Sequence, residues 1–224
     1  MEQLEEVVLK SNKIKDAANI GRAMRVIKPL KILDLSYNEI EDLDENSFVD
    51  IINLESLDLS HNQLTDLRRG SVHRMPRLKS VDLSYNHIRN FHSDSFMSTP
   101  LIDELKLNHN DLTEVSDVSF VMDALPRLRL LDLSNNDIRD IPFGALRGYP
   151  ALERLLLSSN QISRVSLQAL ADMPSLVELD LSNNKLIADA IDGPIFDLPN
   201  LKILDLSKNK LALLNSQLLT TLNR

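Results

Sequence analysis

The residues best suited to chemistry recur at fixed intervals rather than in clusters. Tyr37, His61, Tyr85 and His109 follow one another every 24 positions, and they include two of the three tyrosines in the chain. A charged series runs beside them, formed by Asp34, Asp58, Asp82, Lys106 and Asp132. Carboxylates in a row can attract a basic partner or Ca²⁺. Tyrosines on a rigid platform supply contact area at low entropic cost. All five histidines (His61, His73, His87, His92, His109) fall within 49 residues, but zinc needs three or four donors converging on one point. Regular spacing spreads donors out, so no metal site is expected. A patch that changes charge with pH around His61, Tyr85, His87 and His109 is the other reading of the histidines.

Catalytic constellations are absent from the sequence. With five glycines there is no G-x-G-x-x-G and no G-x-x-x-x-G-K, and neither H-E-x-x-H nor G-x-S-x-G occurs. Zero cysteines remove disulfides, thiolate nucleophiles and Cys-ligated metals from consideration. The expectation is a non-catalytic protein without a cofactor.

The element that spaces these residues is a repeat. The template L-x-x-L-x-L-x-x-N-x-L fits nine times, with asparagines at Asn12, Asn38, Asn62, Asn86, Asn110, Asn136, Asn160, Asn184 and Asn209, 24 to 26 residues apart. A period in this range is the signature of a leucine-rich repeat solenoid. The expected fold is an α/β horseshoe with a parallel sheet on the concave face and short helical or irregular segments on the convex face. Residues 1–224 would form one repeat domain, with repeats beginning near 4, 30, 54, 78, 102, 128, 152, 176 and 201.

Each template position has a physical job. In Leu57-Asp58-Leu59-Ser60 apolar and polar residues alternate, the period of a strand with one buried face. The asparagine turns the chain away from the sheet, and a column of buried amides would bond backbone groups of its own and adjacent turns. Apolar residues follow at +2, +5 and +10, as in Ile40, Leu43 and Phe48 or Leu64, Leu67 and Val72. Pro76, Pro126, Pro150, Pro174 and Pro199 then end the convex segment ahead of the next strand. No turn could bury its leucines alone; stacking buries them. The longer repeats mark local insertions such as 187–194, "IADAIDGP", which should protrude.

Composition narrows the partners. A net charge of −8 argues against nucleic acid, which needs a basic surface. No run approaches the ~18–20 apolar residues of a membrane span, so this segment is not expected to insert directly into a bilayer. The chain shows no capping module and stops on a repeat boundary, which leads to the expectation of an internal piece of a longer array.

Repeats of 24 residues reading "LDLSxNxI", with "P-x-L" returns, resemble the typical class of animal extracellular leucine-rich repeats, over essentially the whole chain. Chaoptin-like adhesion proteins and Toll-type receptor ectodomains belong to that class. The resemblance implies a cell-surface or extracellular location and a protein ligand or homophilic partner. An intracellular regulatory scaffold is the alternative, consistent with the missing cysteines. Two readings of the surface columns stay open: the aspartates and the Tyr–His series form a binding face, or both belong to the repeat itself. For Lys106 the first expectation is a cross-strand charge neutraliser between Asp82 and Asp132.

Overall fold

Three-residue strands form where the template alternates apolar and polar residues. The computed structural model describes residues 3–213 apart from 46, 49, 123, 147–148, 171–172, 188–190 and 193–197, so most of the 187–194 insertion lies outside the described residues. Nine strands pair in sequence order into one parallel sheet: Glu6–Val8, Ile32–Asp34, Ser56–Asp58, Ser80–Asp82, Glu104–Lys106, Leu130–Asp132, Arg154–Leu156, Glu178–Asp180 and Ile203–Asp205. Register is kept throughout, so Leu33 lies beside Leu57, and Val81, Leu105, Leu131 and Leu155 continue the row. The chain is a parallel-sheet solenoid of the predicted kind.

Its core is one continuous file of aliphatic side chains. Leu33, Leu57, Val81, Leu105 and Leu131 each expose 1% or less of their surface. Behind them Ile40, Leu64, Ile88, Leu112 and Ile138 are buried, and Phe48, Val72, Phe96, Leu146 and Leu170 fill the convex side. Because each turn contacts mainly its neighbours, burial is shared between turns.

The return segments vary more. Helix α1, Ala17–Met24, starts at Asp16, whose carboxylate accepts from the backbone N–H groups of Ala18 and Asn19. Gly21 lies flush on the next turn, where a Cβ would collide with the carbonyl oxygen of Ser47. A second helix, α2, covers Ser116–Met122, and a 3₁₀ turn covers Leu167–Leu170. Two small parallel ladders also form on this side, Asp66–Leu67 with Asn90–Phe91, and Arg164–Ser166 between Asp140–Ile141 and Ile191–Asp192.

The prolines do more than end the convex segment. Leu78, Leu128, Leu152, Leu176 and Leu201 donate their N–H to the carbonyl three residues back, at 3.1–3.2 Å. Each proline is therefore the second residue of a β-turn, the position its fixed φ suits best.

Candidate functional site

The asparagines stand in file along one edge of the sheet. Asn62 Nδ2 donates to the carbonyls of Leu35 (3.0 Å), Leu59 (3.0 Å) and Ser60 (3.2 Å), while its Oδ1 accepts from Ile40 N–H at 3.0 Å. Asn38, Asn86, Asn110, Asn136, Asn160, Asn184 and Asn209 make the same kinds of contact to their own and the preceding turn. Among the described residues Asn12, at the first turn, bonds only Leu9 and Lys10. The ladder fixes where each strand ends and so where every concave side chain points.

The central column of the concave face contains Asp34, Asp58, Asp82, Lys106 and Asp132 in consecutive register. Its aspartates have a local task. Oδ1 of Asp34, Asp58, Asp82 and Asp132 accepts from the N–H of the serine two residues on, at 2.8–3.0 Å. These Asx turns bend the chain out of the strand and explain why the position is aspartate rather than any polar residue. Lys106 breaks the pattern. Its ammonium lies 3.0 Å from Glu104 and 3.7 Å from Asp82; burial pushes its pKa down, but Glu104 and then Asp82 together outweigh that and hold it above the ordinary value. In the same turn Asn108 replaces the serine, and its Oδ1 is buried with no hydrogen-bond partner among the described residues.

One member of this column carries a pH consequence. The N–H of Ser207, then its hydroxyl, hold the Asp205 carboxyl below the usual carboxylate range. A depressed folded-state value means stability that is complete above the ordinary carboxylate pKa and lost as pH falls through the lower one. Carboxyl chemical shifts should therefore give Asp205 a midpoint below that of an unfolded peptide, and Ser207→Ala should move it part of the way back. An unchanged midpoint would remove the hydroxyl from the account.

The Tyr–His series closes the far side of the face. Tyr37, His61, Tyr85 and His109 all adopt left-handed backbone, with φ between 54° and 56°, as do Ser11, Asn135, Ser159, Asn183 and Lys208 in the same column. L-residues with a Cβ pay for this conformation. It is fixed here because each N–H donates to the next turn: Tyr37 to Ser60, His61 to Ser84, Tyr85 to Asn108 and His109 to Ser134, all within 3.0 Å. The four rings consequently stack. Centroids are 3.9, 4.1 and 4.1 Å apart, planes differ by 10–13°, and the Lys10 ammonium sits 4.9 Å from the Tyr37 centroid. Tyr37 and Tyr85 remain 46% and 43% exposed. Ring faces are spent on one another and, at the first ring, on Lys10.

The remaining histidines are elsewhere. His87 lies 3.8 Å from Asp111, His92 Nδ1 accepts from Asp94 N–H, and His73 is buried with Nε2 unpartnered among the described residues. Among the described residues no three potential ligands gather at one point.

Residues 2–64, 52–112 and 126–186 match the family described as "Leucine rich repeat", and 175–198 match a second model described in the same words. The chain belongs to the leucine-rich repeat family. Members of this family are in general protein-binding scaffolds. No curated protein matches this leucine-rich repeat sequence. Among solved structures it is similar to a leucine-rich repeat protein of Leptospira interrogans, with 22% identity and a TM-score of 0.79 over 97% of this chain and 52% of that one. It is also similar to TLR13 in the TLR13–ssRNA13 complex, with 24% identity and a TM-score of 0.76 over 99% of this chain and 36% of that one. Mouse RP105, solved with MD-1, gives 22% identity and a TM-score of 0.78 over 98% of this chain and 41% of the other. At such identities the likeness shows the fold alone. The chain spans about half or less of the length of these solved proteins.

One further column of this leucine-rich repeat face was readable and missed. Just before the strands, Glu5, Lys31, Glu55, Lys79, Asp103, Arg129 and Glu153 alternate in sign, one per turn. Lys31 reaches Glu5 at 2.8 Å, Lys79 reaches Glu55 at 2.7 Å, and Arg129 grips Glu153 through two bonds of 2.9 Å. The signal was opposite charges at the repeat interval. Exposed pairs of this kind add little stability, but together they leave this edge of the sheet electrically quiet.

Proposed function

We propose that this leucine-rich repeat protein binds another protein, or a second copy of itself, on its concave face, as part of a cell-surface or extracellular adhesion or receptor protein. Residues 1–224 act as one repeat domain of the typical 24-residue animal class. The observation that carries the reading is the exposed stack of Tyr37, His61, Tyr85 and His109 beside the row Asp34, Asp58, Asp82, Lys106 and Asp132. Rigid aromatic groups beside fixed charges are what binding surfaces use as anchors. Eight strand spacings of ~4.8 Å make a face about 38 Å long, enough for an ordinary protein interface. The extracellular assignment is supported by the repeat class and by the likeness to TLR13 and mouse RP105, the latter solved with the protein MD-1. Net charge of −8 and the acidic face speak against nucleic acid, and the sequence carries none of the common catalytic motifs.

The test is site-specific photo-crosslinking. A benzophenone amino acid is placed at Ser56 or Ser80 on the concave floor, or at Ser93 on the convex side. Capture of one protein species from Ser56 and Ser80, competed by excess unmodified chain and absent at Ser93, is the expected result. Capture from Ser93 alone would reverse the assignment of the face.

A further inference from the structure

We propose that the turns of Asn38, Asn62 and Asn86 receive a basic α-helix of a partner protein, laid along the solenoid axis with Arg or Lys at i, i+4 and i+7. This rests on the concave-face reading above and names the chemistry of the occupant.

Charge is the first support. The outer edge of the sheet cancels itself by alternation, but the central column does not. Asp34 and Asp58 have no Lys, Arg or His within ion-pair distance among the described residues, and Asp82 has only Lys106. In each of the three aspartates Oδ1 is engaged by the serine turn. Oδ2 of Asp34 and Asp58 accepts no hydrogen bond from the described residues. The strip has defined ends, with Lys10 beyond Tyr37 on one side and Lys106 beside Asp82 on the other.

Pitch is the second support, and it decides which secondary structure fits. Successive strands are ~4.8 Å apart, so three aspartates span about 9.6 Å. Helix positions i and i+7 are separated by about 10.5 Å along the axis, within about 1 Å of that span. An extended strand places its first and third same-side residues about 13 Å apart, too far to serve all three carboxylates. A helix matches the row; a strand does not.

The surroundings suit a helix with long cationic side chains. On one side the partly exposed Tyr37 and Tyr85 offer aromatic surface to the methylene stems of Arg or Lys. Because the ring faces are stacked on one another, this surface is not a cation-π cage. On the other side the floor is low, formed by Ile32, Ser56 and Ser80 in adjacent register.

The experiment compares two lactam-stapled, alanine-rich helical peptides of identical composition, by fluorescence anisotropy against the whole chain at low salt. One carries three arginines at i, i+4 and i+7; the other distributes them around the helix. The striped peptide should bind about tenfold tighter. Asp34→Asn with Asp58→Asn should erase the difference, while Asp180→Asn with Asp205→Asn, equal in charge removed, should preserve it. Asparagine keeps the oxygen that accepts from the serine N–H groups, so these variants keep their turns. Equal binding of the two peptides, or equal loss from the two pairs of variants, would overturn the proposal and leave only a general acidic attraction. Absence of peptide binding with crosslinking at Ser56 and Ser80 intact removes the basic helix and keeps the concave face.

Discussion

Replacing Asn86 by alanine should lower the unfolding free energy by about 3 kcal/mol, which is large for one polar side chain. The wild-type amide donates to the carbonyls of Leu59, Leu83 and Ser84, and its oxygen accepts from Leu64 N–H at 3.0 Å. Loss is uneven among these groups. Leu59 and Leu83 keep a second donor each, from Asn62 and Asn110, and Ser84 keeps His61 N–H. Leu64 N–H keeps nothing and sits in the core, so its desolvation is the larger part of the cost. Asn86→Asp should be worse, because a carboxylate would face carbonyl oxygens. Asn12→Ala removes an exposed amide that bonds only its own turn and should cost less than about 0.5 kcal/mol. Urea unfolding followed by circular dichroism measures all three. Equal midpoints for Asn86→Ala and Asn12→Ala would mean that the ladder is ornamental to stability.

The contrast between those two asparagines shows what the sequence could and could not convey. Period and alternation set the sheet, its register and the inward row from Leu33 to Leu155, because stacking identical turns allows only one in-phase solution. The columns of the concave face followed from the same register. Their chemistry did not follow. Asp58 read as an outward charge, yet half of its carboxylate is spent on the N–H of Ser60, an Asx turn that alternation of apolar and polar residues does not reveal. Tyr37 and His61 read as neighbours in one surface column; that their rings lie 3.9 Å apart depends on left-handed backbone at both positions. A residue's φ is set by hydrogen bonds to the next turn, and those appear only once the turns are stacked. The alternating edge of Lys31, Glu55 and Lys79 was in plain view, since charge sign at the repeat interval needs no geometry. The convex side was least legible. There α1, α2 and the small ladders depend on local residues such as Asp16 and Gly21 rather than on the template.

That variable side nevertheless closes the core, and Phe96 measures how much it contributes. Phe96→Ala should cost about 3–5 kcal/mol, the usual range for a fully buried phenylalanine, because its ring is wholly shielded and the turns on either side cannot collapse without shifting. The backbone around it is pinned. Val72 N–H donates to the Ser95 carbonyl, the Ser95 hydroxyl to Leu67 and His92, and the Thr99 hydroxyl to the carbonyl of Phe96 itself. A pinned backbone leaves a void rather than filling it, which places the expected cost toward the upper end. Phe96→Leu keeps most of the volume and should cost less than about 1.5 kcal/mol. Phe143 is 66% exposed, so Phe143→Ala should change stability by less than about 0.5 kcal/mol. Guanidinium unfolding gives the three values, and hydrogen exchange should show weakened protection first in the strands Ser80–Asp82 and Glu104–Lys106, since stress in a stack passes to the nearest turns. Were Phe96→Ala to cost no more than Phe143→Ala, the convex segment would be a loose cover, and the leucine file beneath it would have to hold the turns together unaided.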